Sequence, residues 1–301
     1  MHGWIIIDKP LGIGSTQCVG AVKRALREGG YAKVKVGHGG TLDPLASGVL
    51  PIALGEATKL AGRMLDSDKV YDFTITFGAQ TETLDTEGTV IATSDERPTF
   101  DQIGTALPQF TGPIAQVPPT YSALKVDGAR AYDRARAGED VVLASRAVTV
   151  HRLHPHRWDM PNDPVQQFDE ITLTAHVSKG TYIRSLARDI ALALGTVGHV
   201  TMLRRTRAGP FDLSDAISLD ILAEAAKGRT LEQHLLPLRA GLDDIPALSL
   251  DPDQAGALRQ GRVLDGIATD DGLRFAMLGD VPVALVEIER GQARVVRGFN
   301  L

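Results

Sequence analysis

The spacing of apolar and polar residues predicts strands at several places along the chain. Residues 4–7 form a short apolar run rich in β-branched side chains, which is typical of a buried strand. In residues 70–77, apolar and polar side chains alternate, so a half-buried strand is predicted. The same alternation predicts a strand at 171–177. Shorter strands are predicted at 33–37, 141–143 and 148–153.

Helices are predicted where apolar residues recur every three or four positions. Ser15 is a favourable helix N-cap, apolar residues follow at helical spacing, and a glycine pair at 29–30 ends this helix. Residues 182–194 have a stronger amphipathic pattern, which ends at Gly195. Shorter helices are predicted at 100–110 and 129–137.

Glycine and proline interrupt two segments, which are therefore predicted as loops. These are residues 37–48, with four glycines, and residues 112–119, whose three prolines are expected to exclude regular structure. Along the whole chain, strands and helices mix without the regular period of βαβ units. We therefore predict the α+β class, with a mixed, largely antiparallel sheet and flanking helices.

The pattern changes near residue 245, after which short β-like runs separated by turns replace the longer elements. We therefore expect a large domain over residues 1–245 and a small β-rich domain over residues 246–301. About 55 residues bury too little apolar surface for a rich core, so the small domain should pack against the large one. The β-like runs are 275–278, 281–287 and 293–296.

The composition is that of an ordinary globular protein. Of the 301 residues, 43% are apolar and 23% are charged, and no apolar run reaches the roughly 18 residues of a membrane span. The first residues lack the charged and apolar regions of a signal peptide. Cys18 is the single cysteine, which excludes an internal disulfide and a multi-cysteine zinc site. A reducing, cytoplasmic location is expected.

The net charge of −5 argues at first against a nucleic-acid partner, but the charges are unevenly distributed. Residues 1–40 hold six lysines and arginines against two acidic residues, and residues 179–207 hold six against one. Residues 208–301 hold fifteen acidic residues against nine basic ones. The two basic stretches could form one surface for a polyanion, or they could be solvated helix faces. Charge alone leaves both interpretations open.

Several common catalytic motifs are missing from the sequence. There is no G-x-x-x-x-G-K-[ST], no H-E-x-x-H and no G-x-S-x-G. Gly12 and Gly14 lie between a predicted strand and a predicted helix, as in a dinucleotide-binding loop. Position 17 is glutamine, however, so the third glycine of that motif is absent. A nicotinamide cofactor is not expected.

His151, His154 and His156 cluster at the end of a predicted strand, and imidazoles are good zinc ligands. On an extended chain, His151 and His154 point to opposite faces. No nearby cysteine or carboxylate pattern completes a ligand set. The sequence therefore favours exposed histidines, and no metal site is predicted.

The segment 37–51 contains the strongest candidate for chemistry, Asp43. Its glycines allow close approach of a backbone or a nucleotide, and Pro44 biases Asp43 towards an extended conformation. An aspartate on a rigid loop can act as a nucleophile or a base. The alternative is a turn aspartate that hydrogen-bonds its own backbone. The residues alone favour this alternative.

The segment resembles the catalytic loop of the TruB family of tRNA pseudouridine synthases, G-H-x-G-T-L-D-P-x-A-x-G-x-L-P. Six further blocks in residues 7–206 resemble this family in the same order, and such agreement is highly specific. They are D-K-P-L-G at 8–12, K-V-Y at 69–71 with Gly78, T-x-D-x-x-G at 83–88, V-P-P-T-Y-S-A-L-K at 117–125, K-G-T-Y-I-R at 179–184, and H-V with L-R-R-T within 199–206.

The resemblance implies the pseudouridine synthase fold and an isomerase that acts on uridine 55 in the T loop of tRNA. The target base would be flipped out of its stack. Asp43 would attack C1′ of the ribose or C6 of the base, and the sequence leaves both routes open. Such an enzyme needs neither cofactor nor metal, works without guide RNA or membrane, and is taken as a monomer by default.

The resemblance also implies roles for other residues. Arg184 resembles the arginine that pairs with the catalytic aspartate and keeps it ionised. Tyr71 resembles the tyrosine that stacks on the target base and takes part in catalysis, although core packing is an alternative for a strand aromatic. The residues matched to substrate binding are His38, which would fill the space left by the flipped base, Tyr182 and Leu203, which would line the uracil pocket, and Lys9, which would support the loop or a phosphate.

The sequence departs from the family pattern at two places. Gly39 replaces a threonine of many relatives, and residues 258–261 resemble a PUA-type RNA-binding module over only a short stretch.

Three other functions are alternatives to a stand-alone tRNA pseudouridine synthase. They are a guide-RNA-dependent synthase, an RNA chaperone without catalysis and a glycoside hydrolase. The last would need two carboxylates, whereas the blocks supply only Asp43.

Overall fold

The computed structural model of the chain describes residues 1–122, 124–126, 129–130, 134, 143–156 and 166–301. They divide into two compact units, which are described separately. The first unit comprises Met1–Pro44, Gly48–Leu65 and Ala208–Leu301, and the second comprises Leu45–Ser47 and Asp66–Arg207. The α-helices with described bounds are α1 (Ser15–Glu28), α2 (Ala61–Asp66), α3 (Phe100–Ala106), α4 (Ile183–Ala193), α5 (Leu219–Lys227) and α6 (Pro252–Arg259).

Strands are found in both units. In chain order they are β1 (Gly3–Lys9), β2 (Val36–His38), β3 (Ala46–Leu54), β4 (Lys69–Phe77), β5 (Ala79–Thr81), β6 (Val90–Thr93), β7 (Gly112–Gln116), β8 (Lys125–Val126), β9 (Ala129–Arg130), β10 (Arg146–Pro155), β11 (Glu170–Val177), β12 (Gly198–Ala208), β13 (Phe211–Asp212), β14 (Ala216–Ile217), β15 (Leu236–Pro237), β16 (Ala247–Ser249), β17 (Gly272–Leu278), β18 (Val281–Glu289) and β19 (Gln292–Gly298).

Strand β1 lies at the centre of the first unit. It pairs antiparallel with β3 and β15 and parallel with β14. Ile5 and Ile7 pack with apolar residues of α1 and α5, whereas Trp4 and Ile6 pack in a second cluster with Phe211. Both faces of β1 are therefore buried, which explains why its sequence is an apolar run rather than an alternation.

The second unit is built on a sheet with the order β12-β4-β11-β10-β7. The pairs β4–β11, β11–β10 and β10–β7 are antiparallel. One face of β4 carries Phe73 and Ile75, which pack against β11 and against Leu186 of α4. The other face is polar: the hydroxyls of Thr74 and Thr172 lie 2.8 Å apart. The alternation predicted for β4 and β11 is confirmed, and so is the α+β class with largely antiparallel sheets.

Four expectations from the sequence are corrected or fall partly outside the described residues. Residues 112–119 were expected to lack regular structure, but 112–116 form β7, where the sheet ends; an edge strand tolerates proline because its outer backbone groups need no partner strand. The N-cap of α1 is Gly14, one residue before the predicted Ser15. Of the helix predicted at 129–137, residues 129–130 form β9, and the remainder apart from Arg134 lies outside the described residues, as do two residues of the strand predicted at 141–143.

Strands β16–β19 and α6 form the small β-rich part expected near the C-terminus. Ala276 and Val286 pack on α6, while Phe275, Met277 and Leu285 join the cluster that contains Trp4. The four-stranded sheet therefore packs against other elements of the first unit, as its size suggested. The boundary between residues 245 and 246 stays a prediction. Among the described residues, no helix has the length and apolar character needed to span a membrane.

Candidate active site

The loop between β2 and β3 carries Asp43, which is half-buried. On one side of it, Leu42 donates its N–H to Ser15 Oγ at 2.8 Å, and the same hydroxyl donates to Leu42 O at 3.0 Å. On the other side, Pro44 O accepts from Gly12 N at 2.9 Å. Both backbone neighbours of Asp43 are thus hydrogen-bonded to the turn between β1 and α1, which fixes the position of its Cα.

Lys9 contributes to the same arrangement and is fully buried. Its Nζ donates to the carbonyl oxygens of Ile13 at 2.7 Å, Pro10 at 2.9 Å and Pro44 at 3.4 Å. A buried ammonium needs such partners to offset the loss of water. This geometry favours the loop-supporting role predicted for Lys9; contact with a phosphate stays a prediction.

His38 ends β2 and is half-buried, and Gly39 follows it. The N–H of Gly39 donates to Pro51 O at 2.8 Å. A Cβ at Gly39 would lie 2.6 Å from Met64 Cβ, too close for an ordinary contact. The Met64 side chain therefore occupies the space that a threonine would need, and this explains the departure from the common motif.

In the second unit, Arg184 lies in the first turn of α4 and is 8% exposed. Its Nη1 donates to Thr83 O at 2.9 Å and to Asp85 Oδ2 at 3.1 Å, and its Nη2 donates to Tyr121 O at 3.0 Å. Asp85 is also buried, and its Oδ1 accepts from Glu87 N at 3.0 Å. The T-x-D-x-x-G block therefore orients the guanidinium and supplies a counter-charge.

Tyr182 immediately precedes α4 and is held by the paired ends of β7 and β10. Gln116 is fully buried; its Nε2 donates to Tyr182 O at 3.1 Å and its Oε1 accepts from Tyr182 N at 2.8 Å. Arg146, the cross-strand neighbour of Gln116, places its guanidinium carbon 5.8 Å from the centroid of the Tyr182 ring, within cation–π range. Backbone and ring of Tyr182 are thus both restrained.

Tyr71 and Leu203 are partly buried and pack against the main apolar cluster of the second unit. Tyr71 shares a face of β4 with Phe73, so core packing accounts for part of its environment.

Lys69 lies two positions before Tyr71 on β4. Burial is the main cause that lowers the pKa of Lys69 to about 8, and the positive charge of Arg205 lowers it further. This ammonium therefore loses its proton more readily than an exposed lysine does.

The predicted site residues divide between the two units. The first unit holds Lys9, His38 and Asp43, and the second holds Tyr71, Tyr182, Arg184 and Leu203.

The sequence analysis missed Gln116 and did not assign a partner to Asp85. Gln116 directly precedes a family block, but nothing in the sequence marks it as a residue that contacts Tyr182.

Comparison with protein families gives two matches along the chain. Residues 26–183 match the TruB family pseudouridylate synthase (N terminal domain), and residues 184–243 match the tRNA pseudouridylate synthase B C-terminal domain. Among curated relatives, tRNA pseudouridine synthase B of Novosphingobium aromaticivorans is 64% identical over 301 residues, which cover 100% of this chain and 98% of the relative. The tRNA pseudouridine synthase B of Zymomonas mobilis is 58% identical over 300 residues, which cover 100% and 96%.

Two solved structures with a similar fold come from H/ACA particles. A chain of an H/ACA RNP bound to a substrate RNA containing 2′-deoxyuridine has a TM-score of 0.72 and 25% identity, over 99% of this chain and 85% of that chain. A chain of the archaeal box H/ACA sRNP Nop10-Cbf5 complex has a TM-score of 0.71 and 25% identity, over 99% and 86%.

Proposed function

The chain belongs to the TruB family of pseudouridine synthases, and on this premise we propose that it converts uridine 55 in the T loop of tRNA to pseudouridine through Asp43. The activity itself is that of a tRNA pseudouridine synthase, an isomerase. The observation that carries the assignment of Asp43 is the fixation of both its backbone neighbours by Gly12, Ser15 and Lys9. A nucleophile that is held in place before substrate binds loses little entropy when it reacts.

In the proposed reaction, the Asp43 carboxylate attacks C1′ of the ribose or C6 of the flipped uracil. The C1′–N1 bond breaks, the base turns, and a C1′–C5 bond forms. The bond from Asp43 to C1′ or C6 breaks in turn, which restores the free carboxylate. The hydrogen on C5 then leaves to solvent and N1 gains a proton, so atoms and electrons balance without an added reagent. Arg184, with Asp85 as its counter-charge, is assigned the role of keeping Asp43 ionised.

We assign the recognition of the flipped base to Tyr71, Tyr182 and Leu203, and the filling of its vacated position to His38. The restrained backbone and ring of Tyr182 support this assignment, because a pocket wall that is fixed in advance pays less conformational entropy on binding. The small β-rich part over residues 246–301 is proposed to be a PUA-like RNA-binding domain that follows the catalytic domain 1–245.

The test is release of tritium from 5-³H-uridine in an unmodified tRNA transcript, with the protein alone and no guide RNA. We expect one equivalent to be released from the natural transcript and none from a matched transcript with cytidine at position 55. Equal release from both would place the target at another uridine. Binding without release from either would favour the guide-dependent synthase or the RNA chaperone, the former being suggested by the similarity to H/ACA proteins.

Gln116→Met is expected to reduce kcat by about 10- to 100-fold while the Kd for tRNA changes little, because the Tyr182 backbone loses both of its hydrogen bonds to the Gln116 side chain. Methionine has a similar volume, so the free energy of unfolding should fall by only about 1–3 kcal/mol. Single-turnover tritium release, filter binding and urea unfolding measure these quantities. The matched control is Gln109→Met, an exposed position of the same unit, for which no change is expected. A stability loss in Gln116→Met with unchanged kcat would contradict the positioning role.

A further inference from the structure

Three side chains of the second unit meet on the polar face of its sheet. Asp68 directly precedes β4, His151 lies in β10, and His176 lies in β11. One ligand atom from each residue lies within 4.8 Å of the other two. The sequence analysis considered His151 together with His154 and His156 and predicted no metal site. In the structure, His151 lies near residues from two other segments instead.

A β-bulge brings the two imidazoles together. The register of the β10–β11 pair shifts between Val150 and Arg152, so His151 lies at the irregularity. Its ring centroid is 4.8 Å from that of His176. The bulge turns His151 towards His176, whereas regular strand pairing would point its side chain elsewhere.

Both imidazoles face the same oxygen. Asp68 Oδ2 lies 3.1 Å from His151 Nε2 and 3.6 Å from His176 Nε2. With metal-to-ligand bonds of about 2.0–2.2 Å, adjacent ligands of a tetrahedral zinc ion are separated by about 3.3 Å. The two distances to Asp68 match this spacing. The two nitrogens lie within 4.8 Å of each other and need to approach by at most about 1.5 Å, which side chains that are more than a third exposed can do by rotation.

From this geometry we propose that Asp68, His151 and His176 bind a divalent transition-metal ion of the Zn²⁺ class. Two imidazole nitrogens and one carboxylate oxygen suit Zn²⁺, and they do not suit Mg²⁺ or Ca²⁺, which prefer oxygen ligands. Asp68 and His151 are exposed and His176 is half-buried, which leaves room for water as the fourth ligand.

Two further features support the proposal. Burial, the neighbouring His151 and the charge of Arg207 lower the pKa of His176, whereas Asp68 raises it; the net effect favours the neutral imidazole that a metal requires. The ligands also come from three separate segments, so a bound ion would cross-link β10, β11 and the segment before β4. We expect this cross-link to stabilise the second unit, a role separate from uridine isomerisation.

The experiment uses the full chain without a histidine tag, stripped of metal with EDTA and desalted. Zn²⁺ is titrated by calorimetry, and Co²⁺ by the visible absorption bands of a tetrahedral complex. We expect a single ion per chain, a rise in Tm with added Zn²⁺, and an affinity reduced at least about tenfold in His151→Ala and His176→Gln. His154→Ala serves as the matched control, since it lies on the same strand and its Nδ1 contacts Pro155 O instead.

Each other outcome overturns the proposal. If the wild type binds no ion, the three residues interact only with one another and form no metal site. The same holds if His151→Ala and His176→Gln bind the ion as tightly as the wild type does. If the ligand variants lower Tm in EDTA but leave the Zn²⁺-dependent rise unchanged, the same conclusion holds. Tm measured in EDTA also shows whether each variant is folded.

Discussion

Asp43→Asn is expected to reduce tritium release from tRNA by a factor on the order of 10⁴ or more, because an amide can neither act as the nucleophile nor carry its charge. Asparagine has nearly the shape of aspartate. The hydrogen bonds that fix Leu42 and Pro44 come from Ser15, Gly12 and Lys9 and do not involve the replaced group. The Kd for tRNA and the free energy of unfolding should therefore stay close to those of the wild type.

The measurement is single-turnover tritium release, with filter binding of the same tRNA as the readout of affinity. Asp101→Asn is the control, since it removes an exposed carboxylate from the first turn of α3 and should leave the rate unchanged. Retained activity in Asp43→Asn would show that another group is the nucleophile. Loss of tRNA binding together with activity would point to a structural role for Asp43.

Arg184→Met is expected to lower kcat by a factor on the order of 10²–10³, because the guanidinium proposed to keep Asp43 ionised is removed. It should also lower the free energy of unfolding by about 3–5 kcal/mol, because Asp85 would remain buried without its counter-charge. Kinetics below the melting temperature and urea unfolding separate the two effects. Arg188→Met is the matched control: this residue lies one turn further along α4 and also donates to the 117–121 segment, at Val117 O.

The double variant Arg184→Met with Asp85→Asn distinguishes catalysis from stability. Removing the Asp85 charge should restore part of the unfolding free energy, since no uncompensated carboxylate remains buried. It should not restore kcat, because the guanidinium is still missing. If activity returned together with stability, Arg184 would act only by holding the fold.

The local patterns of the sequence were sufficient to predict the helices and strands in which apolar residues recur at a clear period. The alternation in 70–77 and 171–177 and the helical spacing in 182–194 correspond to β4, β11 and α4. The uninterrupted run at 4–7 corresponds to β1, which is buried on both faces. Burial on one face or two leaves its mark on neighbouring residues, so sequence alone predicts it. The sequence alone also predicts the α+β class. It predicts the TruB family as well, because each family block is a contiguous run of residues.

The tertiary structure decided what depends on residues far apart in the chain. Residues 112–116 form a strand despite Pro113 because, among the described strands, β10 is the one partner of β7. Gln116 reaches Tyr182 and Asp85 reaches Arg184 across more than sixty residues, and nothing local to either residue indicates its partner. The cluster of Asp68, His151 and His176 depends on a bulge that shifts the register of one strand pair. Such contacts follow from how strands and helices pack, and a one-dimensional pattern carries no information about that packing.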